Sequence, residues 1–224
     1  MISLTTGLPE EMIALRVAKE LRDGDVVNLG IGLPTLVSNF ITPDVSIWLH
    51  SENGVLGFGP IVDEDEEQDL EYVNAGSQPI TLLPGASFFD SAMAFAMIRT
   101  GRVDVTVLGG LQVSAKGDLA NWMVPSRGVG SIGGAMDLIA GVKRVIVAMT
   151  HTSKNGEPKI VDECTFPLSG RRCVNTIITD LAVIEVTPEG LLLKEVAPGV
   201  SIDEVRAATA APLIVASDCR EMVF

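Results

Sequence analysis

Short apolar runs dense in valine, isoleucine and leucine recur along this chain, separated by glycine turns and by stretches with helical periodicity. That alternation constrains the fold more than any other feature. Residues 25–29, 45–50, 80–83, 103–108 and 144–149 read as strands, because β-branched side chains suit a pleated, buried surface. Runs such as 144–149 are apolar on both faces, as expected of a parallel sheet covered on each side. The spacing predicts a helix over 9–22, where Ile13, Val17 and Leu21 share one face and Gly24 follows the last turn. Further helices are expected over 35–40, over 88–99 before Gly101, and over 134–140. Residues 111–124 read as a hairpin around Ala115-Lys116-Gly117-Asp118. The tail adds a β-hairpin, 182–186 with 191–196, and a helix opened by the capping box Ser201-x-x-Glu204. The expected fold is α/β: a single open, mostly parallel sheet with helices on both faces and a C-terminal β-hairpin. No linker divides the chain, so residues 1–224 are expected to form one domain.

Composition narrows the function classes. With 224 residues, 47% hydrophobic and only 4% aromatic, the chain has enough apolar material for a full core. A formal charge of −13 argues against nucleic acid and anionic membrane surfaces as partners. Apolar stretches are broken by charge or glycine well short of a membrane span, and Glu10 and Glu11 stand where a secretory signal would be basic and apolar, so a cytoplasmic location is expected. Cys164, Cys173 and Cys219 have no CxxC spacing and read as reduced structural thiols. Two histidines, His50 and His151, are too few for a convincing zinc site, and no metal is expected.

The chemistry concentrates at Ser51-Glu52-Asn53-Gly54, directly after the 45–50 strand. Asn53-Gly54 forces a sharp turn at the strand's carboxyl end, where α/β sheets place their active residues. A carboxylate held there can be approached closely and can act as nucleophile or base. The alternative is an ordinary hairpin with Glu52 as a solvated flank. Against it, residues 55–60 are so rich in glycine that the second strand of a hairpin is expected to be missing. His50 either caps the strand or hydrogen-bonds near Glu52.

A second candidate is Gly128-Val129-Gly130-Ser131-Ile132-Gly133-Gly134, which matches GxGxxG. It fails as a dinucleotide fingerprint, because Pro125-Ser126-Arg127 precedes it in place of a strand and residues 145–154 contain no acid. The glycines can nevertheless leave N–H groups free at the start of the 134–140 helix, or simply permit close packing. Gly30 and Gly32 make a turn that borders a ligand or serves packing. Asn28 stands at its base and is placed to orient the Glu52 loop. Asn121 and Trp122 are candidates for a pocket wall, and Arg127 for a phosphate contact. The acidic segment 63–71 reads as a solvated loop, lacking the glycine and alternation of a calcium loop.

Ser51-Glu52-Asn53-Gly54 resembles the active-site signature of the family I coenzyme A transferases. Asn28-Leu-Gly-Ile-Gly-Leu-Pro34, Leu83-Pro-Gly-Ala-Ser87, Ala94-Phe-Ala-Met-Ile-Arg99, Gly117-Asp-Leu-Ala-Asn-Trp122 and Gly133-Gly-Ala-Met-Asp-Leu138 match in the same order. Over residues 10–218 the chain is similar to the β subunit of the 3-oxoacid type. The resemblance implies transfer of coenzyme A between a short-chain acyl-CoA or succinyl-CoA and a carboxylic acid such as acetoacetate. It implies a ping-pong route through a glutamyl-CoA thioester on Glu52, with a backbone N–H at Gly134 holding the thioester oxyanion. Asn28, Gly30, Gly32, Asn53, Gly54, Asn121, Arg127 and Gly133 are then the expected substrate and CoA contacts. No tightly bound cofactor is implied, coenzyme A being part of the substrate. The partner implied is an α subunit, in an α2β2 assembly. An acyl-CoA hydrolase on the same scaffold, and a non-catalytic acyl-CoA or sugar-phosphate sensing domain, are the alternatives.

Overall fold

The computed structural model describes residues 7–62, 68–128 and 130–224. Helix α1 (Glu10–Ala18) leads into β1 (Val26–Leu29), and a 3₁₀ helix (Leu33–Phe40) carries the chain to β2 (Trp48–Ser51). Strands β3 (Val55–Ile61) and β4 (Ile80–Phe88) follow, then α2 (Ser91–Arg99), β5 (Val105–Leu108), β6 (Gln112–Ser114) and β7 (Leu119–Ala120). A 3₁₀ turn (Pro125–Arg127) precedes α3 (Ala135–Gly141) and β8 (Arg144–Ala148). The last part contains β9 (Ile160–Val161), β10 (Thr176–Ile178), β11 (Ala182–Thr187), β12 (Gly190–Val196), α4 (Ile202–Ala208) and β13 (Leu213–Glu221).

Ten strands form one sheet in the order β13-β12-β11-β10-β8-β5-β1-β2-β3-β4, and β7-β6-β9 form a small second sheet. The central strands β2, β1, β5, β8 and β10 run parallel, while β3, β4 and β11 pair antiparallel on the flanks. Every residue of β5 and β10 is buried, as the unbroken apolar runs require of strands covered on both faces. Helix α1 supplies part of that cover: Ile13, Ala14 and Val17 are fully buried on its inner side. Large apolar side chains such as Ile13 and Val17 each contribute about 1.5–3 kcal/mol of hydrophobic stabilisation. Arg16 on the same helix donates from Nε to Glu195 Oε2 of β12 at 2.7 Å and from Nη1 to Glu20 Oε1 at 2.8 Å, so its buried charge is paired. Among the described residues, no helix is long and apolar enough to cross a membrane.

Several expectations change. The second strand of a hairpin is present: β3 pairs antiparallel with β2, Ser51 opposite Val55 and His50 opposite Leu56. The ladder tolerates its glycines because register shifts flank Gly57, while Val55 and Phe58 anchor the strand in the core. The turn at Asn53-Gly54 is therefore a hairpin turn and also the place where Glu52 is presented. The 80–83 strand runs on to Phe88, so α2 starts only at Ser91, where Asp90 Oδ1 accepts from Met93 N at 2.7 Å. Helix α1 ends at Ala18, and residues 33–40 wind as 3₁₀. The 182–196 hairpin and the Ser201–Glu204 capping box form as expected, and β13 adds a parallel strand beyond them. Of the acidic segment, residues 63–67 lie outside the described residues, as does Val129 in the glycine run.

Candidate active site

Chain order reverses at β1. One connection leaves it for β2 on one side, and the chain later returns through β5 and β8 on the other. Such a switch point opens a crevice outside the carboxyl ends of the strands. Glu52 follows the last residue of β2, Gly30 follows β1, and Gly109 and Gly110 follow β5, so all of them border this crevice.

Asn28 of β1 stands in register with His50 of β2 and Thr106 of β5, forming a row of fully buried polar side chains on one face. Glu52 is two residues beyond His50 and shares that face by strand periodicity. Asn28 Nδ2 donates to Glu52 Oε2 at 3.0 Å and reaches His50 O and His50 Nδ1, each at 3.3 Å. The row is incompletely paired: Asn28 Oδ1, His50 Nε2 and Thr106 Oγ1 are the buried side-chain atoms without a partner among the described residues. Each such group costs about 1–3 kcal/mol, a burden that points to function rather than folding. Burial pushes the His50 imidazole down to about 4, with the Ala94 carbonyl of α2 offsetting this in part without satisfying Nε2. The ring is therefore neutral at pH 7. It stacks on Phe89 at 6.1 Å between centroids.

Helix α3 supplies the opposite wall. Gly134 is its N-cap, so N–H groups at this end have no intrahelical carbonyl to bond. A Cβ at Gly134 would lie 3.7 Å from Glu52 Oε1 and 3.2 Å from the Phe95 ring of α2. A methyl group there would be in ordinary contact with the carboxylate and tight against the Phe95 ring, so glycine leaves the space between this backbone and Glu52 open. The resulting cleft has a volume of about 390 Å³ and includes Gly30, Glu52, Asn121, Gly133 and Gly134, with Leu108, Ile132 and Leu138 as apolar lining. That is the low end of the range for small-molecule sites. Clefts of about 330 and 600 Å³ around Lys116 and Arg172 lack such a carboxylate–amide arrangement and lie apart from the switch point.

The structure thus brings together Glu52, Asn28, Gly30, Asn121, Gly133 and Gly134. Asn121 is held from outside, its Oδ1 accepting from Ser169 Oγ at 2.5 Å, while Trp122 Nε1 donates to Leu168 O at 3.4 Å. The other expected contacts sit elsewhere. Asn53 is exposed and its Nδ2 donates to Val73 O at 2.7 Å, because the hairpin turn directs it outward. Gly54, at φ +119°, is buried against Phe89, whose carbonyl oxygen would lie 1.9 Å from a Cβ there. Gly32 opens the 3₁₀ helix and is not part of the cleft lining. Arg127 ends the 3₁₀ turn, exposed and outside the lining. Gly128 follows that turn and no strand, in keeping with the rejected dinucleotide reading.

Sequence reasoning missed the segment after the acidic run. Ala75 N donates to Ser51 Oγ at 2.9 Å, and Asn74 Oδ1 accepts from Gly76 N and Gln78 N, so residues 73–78 buttress the Glu52 turn. It also missed Leu108-Gly109-Gly110, although a strand ending in paired glycines is the signal that marked Gly30.

A half-buried carboxylate at the switch point of an α/β sheet, held by an asparagine amide and faced by an uncapped helix start, is an arrangement of the kind in which α/β enzymes place a reacting group. The coenzyme A transferase family profile matches residues 10–208. The chain is 49% identical over 95% of its length to the beta subunit of the 3-oxoadipate CoA-transferase of Pseudomonas putida, covering all of that protein. It is 51% identical to the beta subunit of the acetate CoA-transferase of Escherichia coli K12, over 93% of this chain and 95% of that one. The human mitochondrial succinyl-CoA:3-ketoacid coenzyme A transferase 2 is 49% identical over 94% of this chain, which covers 41% of the human protein. Among solved structures, an acyl-CoA transferase of Escherichia coli O157:H7 in a thioester complex with CoA superposes with TM-score 0.75 at 19% identity, over all of this chain and 44% of that one. The decarboxylase AibA/AibB superposes with TM-score 0.70 at 21% identity, over 97% of this chain and 90% of that one. The chain belongs to the coenzyme A transferase family.

Proposed function

We propose that this chain is the β-type subunit of a CoA-transferase in which Glu52 carries the acyl and CoA groups in turn. One observation carries the reading: Glu52 is fixed by Asn28 in the same cleft as the backbone of Gly134. In the first step a Glu52 carboxylate oxygen attacks the thioester carbonyl carbon, the C–S bond breaks, and an acyl-glutamyl anhydride and CoA thiolate form. The thiolate attacks the Glu52 Cδ, the C–O bond breaks, the first acid leaves as carboxylate, and a glutamyl-CoA thioester remains. A second carboxylate displaces the thiolate from Cδ, and the thiolate then attacks the new acyl carbon, releasing Glu52. No proton is gained or lost, so the site needs no general base. A carboxylate suits the role because it is nucleophile and leaving group by turns. Negative charge develops on a carbonyl oxygen at each stage, and the N–H groups at Gly134 are positioned to meet it.

The named relatives use different acids at nearly equal identity, from acetate to 3-oxoadipate. Overall identity therefore does not choose among them, and the acceptor belongs to the class of short aliphatic and keto acids. An α subunit completes the enzyme, as an α2β2 heterotetramer. The relatives' names as a B or beta subunit support a further subunit, as does a human relative more than twice the length that this chain covers, and the α2β2 stoichiometry is the proposal's own. The exposed surface supports it too. Edge strand β4 leaves Leu82, Leu83 and Phe88 in solvent, with Tyr72 stacked on Phe88 at 5.5 Å. Exposed apolar side chains on an unpaired sheet edge mark a protein contact.

Mass spectrometry of the co-expressed complex mixed with acetoacetyl-CoA, succinyl-CoA or acetyl-CoA tests the reading. The expected result is a CoA adduct on the Glu52 peptide, absent in Glu52→Gln. A stable complex without an adduct from any of these donors, yet releasing free CoA into water, refutes the transferase route in favour of hydrolysis.

A further inference from the structure

His50 takes no part in the bond changes proposed above, yet among the described residues it is the only side chain besides Glu52 that contacts the Asn28 amide nitrogen. We propose that His50 is a positioning residue: its Nδ1, held as a hydrogen-bond acceptor, orients the Asn28 amide so that nitrogen, not oxygen, faces Glu52. This rests on the reading of Glu52 as the nucleophile and deepens it.

An asparagine amide has two nearly isosteric ends of opposite polarity. Its Nδ2 carries two hydrogens. One is taken by Glu52 Oε2 at 3.0 Å, and the other lies between His50 O and His50 Nδ1, both at 3.3 Å. Rotating the amide by half a turn would set Oδ1 against the acceptors Glu52 Oε2 and His50 O, and against His50 Nδ1 as a third when that nitrogen is unprotonated. The oxygen end gives no help, since Asn28 Oδ1 has no partner among the described residues. Orientation is therefore decided wholly on the nitrogen side.

That matters once the cycle begins. As anhydride or thioester, Glu52 has lost its charge and much of its pull on Nδ2, and the acceptors of His50 remain to hold the amide for the return steps. The imidazole can act as acceptor only while Nδ1 is unprotonated, which places the ring proton on Nε2. The surroundings favour the neutral ring that this requires. The ring is fully buried, Phe89 stacks on it, Asn28 and Thr106 are the polar neighbours in register, and the Ala94 carbonyl of α2 faces it. Glu52, held by the same Asn28 amide, is the charged group nearest to it in this row.

A double-mutant cycle tests this in the complete complex, reading the single-turnover rate of CoA-adduct formation on Glu52 alongside melting temperature. His50→Leu removes the acceptor at similar volume and is expected to slow adduct formation by about 10- to 100-fold. His50→Asn, whose Oδ1 can replace Nδ1, is expected to recover most of that loss. In an Asn28→Ala background, His50→Leu is expected to cause no further slowing, because its effect passes through Asn28. Equal slowing in both backgrounds, or no slowing in either, overturns the proposal. Should His50→Leu fail to assemble, nitrogen-15 NMR of the native complex, labelled at histidine in this chain alone, decides it. A neutral ring protonated at Nε2 supports the proposal; protonation at Nδ1 refutes it. Absence of any adduct in the native complex would instead refute the role of Glu52, a separate failure.

Discussion

At the scale of single residues, the site depends on side chains that are small or absent as much as on those that act. Gly134 has φ −89° and ψ 0°, a conformation open to any residue, so Gly134→Ala costs no backbone strain. Its methyl group would meet the Phe95 ring at 3.2 Å and Glu52 Oε1 at 3.7 Å. The expected outcome is a melting temperature close to that of the native protein, with kcat/KM lowered by about 10-fold because the methyl group fills cleft space beside Glu52 that a bound substrate needs. Steady-state kinetics with thermal unfolding checks both halves. Asn28 and His50 stand at the other extreme, fully buried polar groups whose worth lies in where they point.

At the scale of elements, the β2–β3 hairpin is the device that presents Glu52. Two separate segments brace its turn through three bonds: in the first, Val73 O accepts from Asn53 and Ala75 N donates to Ser51 Oγ, and in the second Phe89 N donates to Gly54 O at 3.0 Å. Gly54→Ala attacks this brace twice, through a φ of +119° and through a Cβ placed 1.9 Å from the Phe89 oxygen. Destabilisation of roughly 2–4 kcal/mol is expected, since forced backbone movement adds to left-handed strain. Urea unfolding measures it, and a loss below about 0.5 kcal/mol would show that the turn yields freely.

At the scale of the whole molecule, the two histidines tie stability to pH. Burial pushes His50 and His151 each down to about 4, against 6.5 when the chain is unfolded. His151 is also locked between Thr179 Oγ1 at 2.9 Å and Thr209 Oγ1 at 2.8 Å, which join the end of β10 to the end of α4. Between pH 6.5 and 4 the unfolded chain binds protons that the folded chain refuses, so stability rises with pH in that window and is lost as pH falls through it. Each histidine accounts for about 3 kcal/mol over the full interval. Unfolding at pH 5 is expected to take up about one proton fewer in His151→Gln than in the native chain, by calorimetry in buffers of different ionisation enthalpy.

Much of this was legible in the chain itself, for reasons that are local. Apolar runs such as 144–148 specify buried strands because both faces of the backbone carry β-branched side chains, and Ser201 with Glu204 specifies a helix start within one turn. Glu52 could be singled out because a strand followed by Asn-Gly puts its last side chain at a sheet end. The tertiary structure alone decided the rest. The β2–β3 pairing turned on whether the core could anchor Val55 and Phe58 around the glycines. The outward turn of Asn53, the nearness of Gly134 to Glu52 and the grip of Asn28 on that carboxylate join residues far apart in the chain. Local propensity carries no information on strand order. Which groups share a cleft is settled by how whole elements bury their apolar faces, and that is a property of the packed sheet rather than of any segment within it.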